Sequence, residues 1–207
     1  MSWLKEQFAA LRDFFRTGFR KIVIWCAAGF AAAIVLGFAA AMIRPDMAME
    51  AFSEFGRYLD ESGVVDDAGQ LSVFALLMNN WRAMLISVLY GIVPFLFLPL
   101  VSLLSNGVLL GGMAGIYQTA GMSMAALTAG VLPHGVFEIS ALVLSVACGV
   151  KLCWNMCLIV TSSQKKVPFV ELAEELLRVL VMVIAPLTIA AAFIECYVTP
   201  AVMGWFM

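Results

Sequence analysis

The chain has a single histidine, His134, and it stands four residues before Glu138 in the apolar stretch LPHGVFEIS at 132–140. On a helix this spacing puts both side chains on one face. A third ionisable group, Glu195, lies in FIECYVTP at 193–200, again within apolar sequence. One imidazole and two carboxylates are a ligand set for a divalent cation such as zinc, and the same groups are able to relay protons. Two arrangements without a cation compete: a hydrogen bond from His134 to Glu138, or neutral acids capped by Asn79, Asn80 or Asn106. Each glutamate needs some partner, because an isolated carboxylate in hydrocarbon is costly. Catalysis has less to build on. The sequence has no HExxH pair, no nucleophile beside a second histidine and no Gly-rich phosphate loop. What remains for a hydrolase is a metal-bound water with Glu138 or Glu195 as general base.

The elements that must position these residues are membrane helices. Hydrophobic residues make up 63% of the 207, and charged ones 13%. With a mean hydropathy of +1.00, the chain lies outside the range of soluble domains. A net charge of -2 and a pI near 5.4 give no basic face for nucleic acid. The cysteines, Cys26, Cys148, Cys153, Cys157 and Cys196, all fall in apolar segments, where a thiol behaves as a small hydrophobe. Cys153 and Cys157 share a helix face, but a structural zinc site needs four ligands.

Residues 3–20 carry Leu4, Phe8, Leu11, Phe15 and Phe19 at helical spacing among Lys5, Arg12, Arg16 and Arg20. That pattern predicts an amphipathic interfacial helix, with residues 1–21 as a cytoplasmic segment. Residues 22–207 are the membrane domain. Its first apolar run, 22–43, is too long for a cleavable signal and reads as a span. Five basic residues against two acidic ones precede it, which puts the N-terminus in the cytoplasm. The acidic segment 44–70 is then extracytoplasmic. Within it Ala48, Phe52, Phe55 and Leu59 oppose Glu50, Glu54, Arg57 and Glu61, predicting a second interfacial helix.

Asn79, Asn80 and Arg82 suggest that 72–85 approaches the membrane before crossing. From Ala83 to Phe137 no residue is formally charged, and as helix this stretch would reach about 80 Å, enough for two crossings. The expected crossings are 22–43, 84–102, 104–121, 131–158 and 176–198, with a join near SLLSNG at 102–107, a turn near TAGMS at 119–123 and a fourth span opening near Pro133. Lys165 and Lys166 then lie inside and the C-terminus outside. The fold class is an all-α integral membrane protein, a polytopic bundle of about five transmembrane helices with N-terminal and extracytoplasmic interfacial helices. Gly107, Gly111 and Gly115 line one face of the third span, where small residues permit close packing within the monomer or, as the alternative, a homodimer face. Pro94, Pro99 and Pro186 should kink or break their helices.

PHGVFE, the closing IECYVTP and the Asn-Asn pair ahead of the second span resemble the stage II sporulation protein M family from about Leu71 to Ala201. The family pattern is matched at Pro133, His134, Gly135, Glu138 and Glu195. The resemblance implies a multi-span membrane anchor for extracytoplasmic cell-wall enzymes, a peptidoglycan-remodelling scaffold rather than a defined reaction. On this reading helix 46–61 and the loops near Gln70 and Thr119 dock the partners. The alternative is a small transporter or ion-conducting protein that uses the His/Glu/Glu set.

Overall fold

A computed structural model describes residues 2–61 and 72–206 of the chain. The expected features at Asp66, Asp67, Gln70 and Leu71 lie outside the described residues, as do the side chains of Phe55, Leu59 and Glu61. Among the described residues every regular element is a helix, and five of these helices are long and apolar enough to cross a membrane.

Helix α1 (Ser2–Phe14) leads through a kink at Phe15–Phe19 into α2 (Arg20–Ile43). The sequence pattern predicts one straight helix over 3–20, but the chain bends at Thr17 and Gly18. Gly18 has a φ of 104°, open to glycine without steric cost. The bend brings three rings together: Phe14 and Phe19 have centroids 4.7 Å apart, Phe15 and Phe19 5.0 Å. Phe19, expected on a lipid-facing stripe, is therefore fully buried, while Leu4 and Phe8 stay exposed.

Helix α3 (Pro45–Glu61) follows directly, and α2 packs along α5 (Pro99–Thr119). The glycine stripe makes that contact. A Cβ on Gly111 would overlap the Ile34 carbonyl, and one on Gly107 would press on Ala33. The face at Gly107, Gly111 and Gly115 is thus filled from within the chain.

Helix α4 (Val73–Leu89) begins at an N-cap, Ser72, whose side chain accepts a hydrogen bond from the Ala75 amide at 3.3 Å, and it continues through a 3-10 turn, Tyr90–Ile92. Asn79, Asn80 and Arg82 therefore lie within one membrane-length helix that starts at Val73 rather than near Met84. The reversal also comes earlier than expected, at 93–98 rather than 102–107. Pro94 cannot continue α4, and Pro99 suits the first turn of α5, so the prolines define the break. Phe95 and Phe97 take positive φ there, 68° and 46°. Two thiols hold this reversal: Cys157 Sγ accepts from the Phe95 amide at 3.1 Å, and Cys153 Sγ donates to the Val93 carbonyl at 3.3 Å.

Helix α6 (Met124–Val160) is the central element and contributes the most buried residues. Its 37 residues give a length of about 55 Å, well beyond a hydrocarbon core of about 30 Å. It does not open near Pro133. Ser123 caps it by accepting from the Ala126 amide at 3.2 Å, and Pro133 sits inside the helix. After the turn at 161–168, one 35-residue helical run, Phe169–Met203, comprises α7 (Phe169–Val179), α8 (Ala185–Phe193) and α9 (Thr199–Met203), joined by π turns Leu180–Ile184 and Ile194–Val198. Each π turn contains the residue four before a proline, Met182 for Pro186 and Cys196 for Pro200. A proline removes the bond to that carbonyl and crowds it, and a widened turn relieves both.

Candidate functional site

His134 and Glu138 face the last helix from α6, and Glu195 approaches them from the π turn between α8 and α9. One ligand atom from each of the three comes within 4.8 Å of the others, and all three residues are half-buried. The three ionisable groups picked out by spacing and span counting are thus neighbours in space.

The details separate the arrangements left open by the sequence. His134 Nε2 and Glu138 Oε2 are 3.9 Å apart, too far for a hydrogen bond. The other ring nitrogen, Nδ1, lies 3.1 Å from Thr199 Oγ1, a hydroxyl at the start of α9. His134 is therefore oriented by Thr199, with Nε2 on the side of Glu138. The His134 side chain is only 12% exposed and that of Glu138 37%, so the imidazole is the more enclosed of the two.

Asparagine capping of the glutamates does not form. Asn106 is exposed on α5 and gives its amide to the Ser102 carbonyl at 2.8 Å. Asn80 is buried on α4, and its Nδ2 has no hydrogen-bond partner among the described residues. Asn79 is half-buried, and no hydrogen bond joins it to either acid among those residues. Pro133 and Gly135 flank the histidine within α6, where a Cβ on Gly135 would meet Val131.

Sequence reasoning passed over two polar residues. Thr199 is one; its only signal is its place four residues after Glu195 and just before Pro200. Asn155 is the other: it is buried in α6 and grips the turn to α7 with two bonds, Nδ2 to the Val167 carbonyl and the Val167 amide to Oδ1, both 2.9 Å. At the opposite end from the cluster, Arg178 forms an ion pair with Glu175 and donates Nε to Gln7 Oε1 at 2.7 Å, which ties α1 to α7. Beside the start of α3, the Arg44 guanidinium lies 3.1 Å from Asp46 and holds that exposed carboxyl below its usual range.

A cavity of about 430 Å³ between α2, α3 and α5 is lined by residues such as Gly37, Met47, Phe52 and Met113. It is built from elements other than those that carry the cluster. A second of about 430 Å³ lies between the first turns of α6 and the end of the chain, against Pro133 and Phe206.

Five membrane-length helices among the described residues, one of them the buried central α6, with ionisable groups gathered between α6 and the last helical run, define an α-helical protein of the membrane class. The sequence model of the family described as Stage II sporulation protein M matches residues 23–200, and the chain belongs to that family. An uncharacterized protein of Methanocaldococcus jannaschii is similar to it, 29% identical over 138 residues that cover 67% of this chain and 76% of that protein. No solved structure matches.

Proposed function

We propose that the chain is a non-enzymatic membrane scaffold that anchors extracytoplasmic partners acting on the cell envelope. The observation that carries this reading is the family match over residues 23–200, which takes in most of α2 and all of α3 to α8, and so the bundle itself. Charge placement supports a sidedness for it. Lys5, Arg12, Arg16, Arg20 and Lys21 gather at the end of the bundle that also holds Lys165 and Lys166, the cytoplasmic end by the positive-inside rule. Leu4 and Phe8 on α1 are then available to the acyl boundary and the neighbouring lysine and arginines to lipid phosphates. At the far end α3 turns Glu50, Glu54 and Arg57 outward while Ala48 and Phe52 are partly covered. That charged face is the docking surface of the proposal. Crosslinking in native membranes should recover envelope proteins, and removal of residues 46–61 should abolish the recovery; unchanged recovery from the deletion would count against the docking role of α3.

The cluster of His134, Glu138 and Glu195 favours a second reading, a small transporter or proton-conducting protein, because ionisable groups within membrane helices commonly mark ion paths. Folded protein in liposomes separates the two. Metal or proton flux that falls in Glu195→Gln supports transport, and a tight, flux-free vesicle supports the scaffold.

A further inference from the structure

We propose that His134, Glu138 and Glu195 form the binding site of one divalent first-row transition-metal ion, of the zinc class, which fastens α6 to the last helix. The site requires neither the scaffold role nor ion movement.

The first support is distance. The 3.9 Å between His134 Nε2 and Glu138 Oε2 is longer than a hydrogen bond and fits donors that share an ion. Zinc–nitrogen and zinc–oxygen bonds of about 2.0–2.2 Å place two donors about 3.3–4.2 Å apart, depending on the angle at the metal. All three donors lie within 4.8 Å of one another, close to the spacing of ligands around one ion.

The second is orientation. Metal-binding histidines nearly always use one ring nitrogen for the ion and the other for a hydrogen bond that fixes the tautomer. Here Nδ1 is engaged by Thr199 Oγ1 at 3.1 Å. With Nδ1 as the protonated, donating nitrogen, the lone pair of Nε2 is on the side of Glu138. Thr199 is therefore a positioning residue for the ion.

The third is charge. Two carboxylates set side by side between apolar helices repel each other and must be neutralised. A divalent ion with two glutamates and a neutral imidazole has no net charge, which suits a low-dielectric site; a monovalent ion would leave one negative charge. Nitrogen and oxygen donors without thiolate fit zinc, manganese or iron. Three protein donors also leave a coordination position for water.

The mechanical consequence follows from chain order. His134 and Glu138 belong to α6, and Glu195 and Thr199 to the segment that closes the bundle. The π turn at Ile194–Val198 sets the register in which both later residues reach α6.

Full-length protein in detergent, stripped with chelator and loaded with Zn²⁺ or Co²⁺ alone, tests the site. Wild-type protein should retain about one ion per chain by plasma mass spectrometry, and Glu195→Gln and His134→Ala should lose it. Thr199→Val should weaken binding about 10–100-fold. Independently of whether a variant keeps its fold, the Co²⁺ absorption spectrum of the wild-type protein gives a separate reading. Bands of nitrogen and oxygen ligation support the site. Thiolate charge-transfer bands would place the ion on cysteines and overturn it, as would folded wild-type protein that retains no metal.

Discussion

Asn155 shows what a single polar side chain does inside this bundle. It is buried in α6, and both ends of its amide pair with the backbone of Val167, replacing the bonds that the turn at 161–168 cannot make for itself. Asn155→Ala leaves an amide N–H and a carbonyl without partners, each worth about 1–3 kcal/mol. The expected result is a clearly lower midpoint of thermal unfolding in detergent, with metal retention unchanged because the substitution lies at the far end of α6 from His134. Asn155 was not legible beforehand, since an amide among apolar residues has no periodic signature and its partner is a backbone group. Thr199 was hidden for a related reason. A hydroxyl in an apolar helix usually bonds back to a carbonyl of its own helix, as Thr188 does to the Ile184 carbonyl at 3.1 Å. His134 and Glu138, by contrast, could be paired from sequence, because four-residue spacing on a helix leaves little freedom.

The helices themselves are held in register by places where side chains are missing. Along α5, Gly111 faces α2 so closely that a methyl group would meet the Ile34 backbone, whereas Gly112, the next residue, has open space around the same position. Gly111→Ala should therefore lower stability by about 1–3 kcal/mol through overpacking. Gly112→Ala should stay within about 1 kcal/mol of the parent, since helix propensity favours alanine. Thermal midpoints of the two variants, measured side by side, check the contrast; equal losses would mean that α2 and α5 do not pack along this stripe. The four-residue glycine spacing was visible in the sequence, but not which helix fills it. Element ends were less legible. Ser72 and Ser123 start α4 and α6 well before the apolar periodicity suggests, and Gly18 bends a segment whose stripe of Leu and Phe reads as one straight helix. In each case one capping or turn residue outweighs the pattern around it.

At the scale of the whole molecule, the number of membrane-length helices agrees with what the hydropathy predicts, although their boundaries move. On the proposed topology, five crossings put the two ends of the chain on opposite sides. The reversal at 93–98 touches Cys153 and Cys157 near the end of α6, and Gln7 reaches Arg178 near the start of the last helical run. These contacts gather α1, the first reversal and the lysine-bearing turn at one end, and leave α3 and the turn before Ser123 at the other. On the proposed sidedness, the first group faces the cytoplasm. A phosphatase fused after Met122 should be active outside, and a fluorescent protein fused after Ser163 should fold and emit inside. The reverse result at both positions would invert the bundle. It would also turn the charged face of α3 toward the cytoplasm, away from any envelope partner. Activity on the same side at both positions would mean that α6 does not cross, and the cluster of His134, Glu138 and Glu195 would then lose its membrane setting. Two fusions therefore test both the sidedness on which the scaffold reading depends and the burial on which the metal site depends.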